Sequence, residues 1–226
     1  MNKRVTKGII LGRFNYGEAD RILAIITPDY GKIRVIAKGV RKEKSRLAGG
    51  IELFCISHIS YIPGKRDIGT LVSTRLATNF GAIVKDLGRT QLGYRVLQTI
   101  DKVTEDECEG AFFDLVVETL QALDGDVDSN LTEAWFDVRL LRLLGHEPNV
   151  YTDTNDQALV PAAKYRFDYT EMAFDNDKNG SFGEDHIKLL RLMLTNPIRS
   201  LTAVGRSAEL AVQLRTLTNT ILQQQL

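Results

Sequence analysis

Hydrophobic periodicity changes once along this chain, near residue 80, and that change constrains the fold more than any composition figure. Up to that point the apolar residues come in short runs or alternate with polar ones, with turn residues between them. Val5 to Leu11, Arg21 to Thr27 and Lys32 to Lys38 read as strands. Pro28, Asp29, Tyr30 and Gly31 form a turn between the second and third, since Pro presets φ and Gly closes the bend. Residues 23–36 therefore predict a hairpin with a buried face and a wet, basic face. Ile51 to Ile62 and Leu71 to Leu76 add a fourth and a fifth strand around the turn at Pro63–Asp67. Five short strands fit a small closed barrel, because one hairpin alone cannot bury its apolar face.

Beyond residue 80 the spacing becomes helical. Ile83, Leu87, Tyr94, Leu97 and Ile100 share one face, and Gly88 and Gly93 interrupt it. Thr104 followed by acids at 105, 106, 107 and 109 predicts a helix N-terminus. An apolar stripe from Phe112 to Leu123 follows, closed by Asp124, Gly125 and Asp126. Leu131 to Leu144 predicts the next helix, capped by Gly145. Residues 146–183 lose the pattern and are rich in Asp, Asn, Thr and Gly. Within them only Tyr165 to Tyr169 reads as a strand, and 175–180 reads as a polar turn. Helices resume at Glu184–Leu194, ended by Asn196 and Pro197, and at about Ser207–Gln223. The expected fold is α+β, with a barrel domain over 1–80 and an all-helical domain over 81–226, the latter interrupted by an irregular insertion at about 146–183.

The 226 residues carry 29 basic and 29 acidic groups, and this balance hides a split. Residues 1–100 hold 18 Lys and Arg against 7 Asp and Glu, a net of +11, and the rest of the chain carries −11. A basic half suits a polyanion, though it could also neutralise acidic helices at an internal interface. Apolar residues at 43% and charged residues at 26% suit a globular core rather than disorder. No apolar run approaches the ~18 residues of a membrane helix, so no membrane partner is expected. The charged N-terminus is unlike a signal peptide, and two cysteines cannot form a disulfide scaffold, which predicts a cytoplasmic protein.

The strongest local feature is Lys38 to Leu47, where Lys38, Arg41, Lys42, Lys44 and Arg46 are basic on an expected inter-strand loop. Such side chains contact phosphates and read no sequence. Lys3, Arg4 and Lys7 open the first strand. Lys32 and Arg34 share one side of the third, and Arg13, Arg21 and Arg66 extend the patch. Tyr16 and Tyr30 are candidate stacking platforms, and Phe54 reads as core. Glu18 and Asp20 flank Arg21 and are expected to orient it by an ion pair.

No catalytic set emerges. His58, His146 and His186 lie in no motif, neither Cys55 nor Cys108 has a partner at Cys-x-x-Cys spacing, and no phosphate-binding glycine loop is present. Asp175 to Gly180 has a partial calcium-loop pattern, but His186 stands where that loop needs Glu. The expectation is no enzyme, no cofactor and no metal. From charge alone three readings stay open: a DNA-binding mediator, an RNA-binding barrel protein, or a scaffold whose basic face takes acidic protein segments.

The string Gly8 to Leu11, then Tyr16 to Leu23, Tyr30 to Lys32, Ala37 to Arg41 and Lys44 to Gly50, resembles the RecO family of bacterial recombination mediators. Leu140 to Pro148 and Leu189 to Leu192 are similar to later segments of that family. The resemblance implies an N-terminal OB-fold barrel, a helical domain, and binding of single- and double-stranded DNA with annealing of complementary strands. It also implies partnership with RecR and with the acidic tail of single-stranded DNA-binding protein, and help in loading recombinase during DNA repair. It marks 32, 34, 38, 41, 42, 44 and 46 as DNA-facing. One departure stands out. Where the family often carries the first zinc Cys-x-x-Cys, this chain has Asp153, Thr154, Asn155 and Asp156, and the second pair has no counterpart. The insertion is therefore expected to hold together through Tyr151, Leu159, Val160, Tyr165, Phe167, Tyr169 and Phe182, without zinc, or to be partly mobile.

Overall fold

The computed structural model describes residues 2–64 and 68–226. It forms two compact units, Met1–Asp124 and Gly125–Leu226. In the first, β1 (Arg4–Tyr16), β2 (Asp20–Thr27), β3 (Gly31–Ala37), β4 (Cys55–Ile62) and β5 (Ile68–Asn79) close into a barrel of order β1-β2-β3-β5-β4. All neighbouring pairs are antiparallel except β3 and β5. Ile10, Leu23, Ile25, Val35, Ala37, Ile59, Tyr61 and Leu71 fill the interior. The fourth strand starts at Cys55 and not at Ile51. Ile51 turns into the barrel core instead, and Phe54 is buried against the Leu87–Val103 helix, edge-on to Tyr94.

Two helices complete this unit, α1 (Leu87–Val103) and α2 (Ala111–Asp124), packed on β1 and β2. The secondary-structure type changes at residue 80, but compactness extends to residue 124, because the helices pack on the outer surface of β1 and β2. Ile9, Ala24 and Ile26 point away from the barrel interior and are still buried. Gly93 lets α1 approach, since a Cβ there would sit 2.7 Å from the Phe54 ring. The acidic run 105–109 is not a helix N-terminus. It is an extended connection whose Asp106 bridges Gly31 and Lys32 of β3, and α2 begins only at Ala111. Pairing with an exposed strand edge outweighs the local helix-start signal.

The second unit holds α3 (Ser129–Leu143), β6 (Asn149–Asp153), β7 (Tyr165–Asp168), β8 (Ala173–Asn176), α4 (Glu184–Thr195), α5 (Ile198–Leu201) and α6 (Ser207–Gln225). Helix α3 packs on α4 and α6 around Trp135, Phe136, Leu140, Leu190, Met193, Leu214 and Ile221. Arg139 and Arg142 both donate to the Leu194 carbonyl, satisfying the C-terminal end of α4. The insertion is a three-stranded sheet of order β6-β8-β7. Its centre is Phe174, edge-on to Tyr165, Phe167 and Phe182 at 6.3, 5.1 and 5.7 Å. Residues 173–176, expected as loop and polar turn, pair along β7 instead, and Phe174 lies outside the expected packing set. Tyr151, Val160 and Tyr169 of that set are exposed. Asp153 closes its turn by accepting from the Asn155 and Gln157 amides, both at 2.9 Å. Among the described residues no group of three or more His, Cys, Asp or Glu could hold a metal.

Candidate nucleic-acid interface

The interface is built where β3 leaves the barrel. Gly39 takes φ +63°, a conformation open to glycine, and its amide donates to Asp20 Oδ1 at 2.7 Å. The Arg41 amide donates to the Ala19 carbonyl at 2.9 Å. Val40 then drops into the core. At the far end Leu47 packs against the same core and its carbonyl accepts from Thr74 Oγ1 at 3.2 Å. Gly50 lies so close to Thr74 that a Cβ would collide with its side chain. The loop is thus pinned at both ends, and its polar side chains are turned outward.

Lys38, Arg41, Lys42, Lys44 and Arg46 are all exposed, and none makes an ion pair among the described residues. Glu43 is the one carboxylate between them. Arg21 pairs in register with Ala37, one residue from Lys38, so it sits at the loop's base. Its Nε donates to Asn15 Oδ1 at 3.2 Å, while Asp20 is committed to Gly39. The expected ion pair from Glu18 and Asp20 to Arg21 is therefore replaced by a cross-strand hydrogen bond. Arg13 is tied to Glu52 at 2.8 Å. Tyr16 is 55% exposed at the β1–β2 turn, and Phe14, two residues back on the same face, is 57% exposed. Sequence reading misses Phe14, although its period-2 spacing from Tyr16 is a usable signal.

The rest of the predicted set does not gather there. Lys32 does point outward, as strand alternation requires, but α1 covers it. It is 3% exposed, and its Nζ donates to the Asp101 carbonyl at 2.7 Å beside Asp101 Oδ1 at 3.4 Å. That carbonyl belongs to the last turn of α1, so Lys32 caps a helix and is withdrawn from any ligand. Arg34 is exposed near the middle of β3. Lys3 and Arg4 lie at the opposite barrel end, where Arg4 stacks 4.7 Å over Tyr30, and Tyr30 is edge-on to Tyr61. Tyr30 is thereby occupied as a structural partner. Asp106 and Glu107 line that same end with Arg4 and Arg34, so its charge is mixed. Lys7 is exposed on the outer side of β1. Arg66 lies outside the described residues. Phe54 is buried, as expected.

A closed five-stranded barrel of this order, with a pinned basic loop and a helical unit after it, defines an OB-type barrel protein of the α+β class. No helix among the described residues is long and apolar enough to cross a membrane. Comparison with known proteins narrows the class. The family model described as recombination protein O N terminal matches residues 1–80, and that for the C terminal matches 84–226. The chain belongs to the RecO family of DNA repair proteins. A DNA repair protein RecO of Dehalococcoides mccartyi is 35% identical over 162 residues, 71% of this chain and 64% of the relative. One from another strain is 30% identical over 216 residues, 92% of this chain and 85% of the relative. One from Roseiflexus is 34% identical over 163 residues, 72% of this chain and 57% of the relative. In the first and third of these the match spans less than two thirds of the relative's length.

Proposed function

We propose that this chain is a non-catalytic recombination mediator that binds single- and double-stranded DNA, promotes annealing and helps load recombinase. The observation that carries the reading is the pinned loop with five exposed cations and no ion pair among the described residues. A basic surface of this kind shields the repulsion between two phosphate backbones, and this needs no nucleophile. RecR and the acidic tail of single-stranded DNA-binding protein are the protein partners of this reading, and the cytoplasm its place.

The test replaces Arg41, Lys42, Lys44 and Arg46 together with Ala and measures oligonucleotide affinity against salt, with strand annealing alongside. Affinity should fall without sequence dependence. The log–log salt slope for a single strand should shrink by about 0.7 for each phosphate that is no longer neutralised. Unchanged affinity at low salt would remove the loop from the site. Tighter binding of RNA than of DNA in competition would favour an RNA role, and retention of an acidic peptide with loss of DNA binding a scaffold.

A further inference from the structure

The outer face of β1, β4 and β5 carries a row of cationic and imidazole groups that the loop site does not use. Lys7 on β1 lies directly opposite His58 on β4, and His58 directly opposite Arg75 on β5. Residues opposed in an antiparallel sheet point to the same side. That side is outward here, because Ile59 and Tyr61 are the inward residues of β4 and a Cβ on Gly8 would meet Ile25 and Ile59. Lys7 and Arg75 are exposed, and His58 is half-buried between them. None of the three strands contains an Asp or Glu. Exposed Ser73 and Thr78 flank the row on β5 and supply hydroxyl donors of the kind that meet phosphates.

The row begins next to the loop's foot along β5. Thr74, which donates to the Leu47 carbonyl, immediately precedes Arg75, and Leu47 immediately follows Arg46. The foot of the loop therefore meets β5 on its inward side at Thr74, and the next residue, Arg75, turns to the outer face. Two inter-strand steps separate Arg75 from Lys7, about 10 Å. Helices α1 and α2 pack on β1 and β2, whereas Lys7 and Arg75 of the row remain exposed.

The geometry points to a phosphate track in which a single nucleic-acid strand, held first by the loop, continues across Arg75, His58 and Lys7. The inference rests on the nucleic-acid reading above and adds a second set of phosphate-binding groups to it. It joins Lys7, remote from the loop along β1, to that site, and it brings in Arg75 and His58.

The experiment compares three full-length proteins on oligothymidylates of increasing length: the parent, the Lys7→Ala/Arg75→Ala double variant and the four-residue loop variant. The double variant should bind the shortest oligonucleotides as the parent does and lose affinity for longer ones. Its salt slope on the longer strands should be smaller by about 1.4, because two phosphates are no longer neutralised. Lys7→Arg/Arg75→Lys keeps both charges and should restore the slope, which separates charge from any effect on folding. An unchanged slope in the double variant alongside a weakened loop variant would overturn the track and leave the functional reading standing. Indifference of both would overturn the functional reading as well. An unchanged DNA slope with loss of acidic-peptide binding would assign the row to a protein partner and also overturn the track.

Discussion

Lys32 offers the sharpest separation between what its charge suggests and what its surroundings allow. Replacing it with Met keeps the unbranched stem packed under α1 and removes the ammonium. That ammonium donates to the Asp101 carbonyl at 2.7 Å and lies 3.4 Å from a carboxylate oxygen that keeps 28% side-chain exposure. A charge-assisted hydrogen bond contributes about 1.5–3 kcal/mol, and Asp101 can regain water, so a destabilisation of about 2 kcal/mol is expected. At a urea m-value of ~2 kcal/mol per molar, the barrel unit's midpoint should fall by ~1 M. The single tryptophan, Trp135, lies in the helical unit, so its fluorescence does not report this transition. Amide exchange at Ile25 and Val35 in the barrel core does. DNA affinity should stay within about twofold of the parent, because a residue 3% exposed makes no phosphate contact. A Lys32→Met protein with parental barrel stability and a reduced salt slope would refute the reasoning.

Gly93→Ala should lower stability by about 1–3 kcal/mol despite alanine's better helix propensity, because the new methyl meets the Phe54 ring; urea unfolding of the barrel unit measures it. Burial pushes the His186 imidazole below its ordinary value of 6.5, helped by Lys164, and its Nδ1 accepts from the Gly183 amide. The unfolded chain therefore binds the proton more readily, and the helical unit should lose stability as pH falls through 6.5 towards the folded-state value. His186→Gln keeps an acceptor and should flatten that dependence, as read from Trp135 fluorescence midpoints in urea. Phe174→Ala should cost the insertion about 3–5 kcal/mol, while a strong chelator should leave the parent's melting unchanged; one bound zinc per chain by metal analysis would contradict the second half.

The amino-acid order is a sound guide wherever neighbours in sequence decide the outcome. Strand alternation up to residue 80, the turn at Pro28–Gly31, the left-handed cap at Gly145 and the helix stop at Asn196–Pro197 all depend on short-range sterics and hydrogen bonding. The basic loop is legible for the same reason, since nine consecutive residues contain all its cations. Tertiary structure decides which of the remaining charges are available. Lys32 and Arg34 have the same strand parity, yet a helix that starts some fifty residues later covers one and spares the other. The acids at 105–109 carry a helix-start pattern and instead pair with β3. Lys7, His58 and Arg75 form a row only through strand register, which no local pattern encodes. Periodicity reports which side of an element a residue takes; what covers that side is set by contacts between segments far apart in the chain.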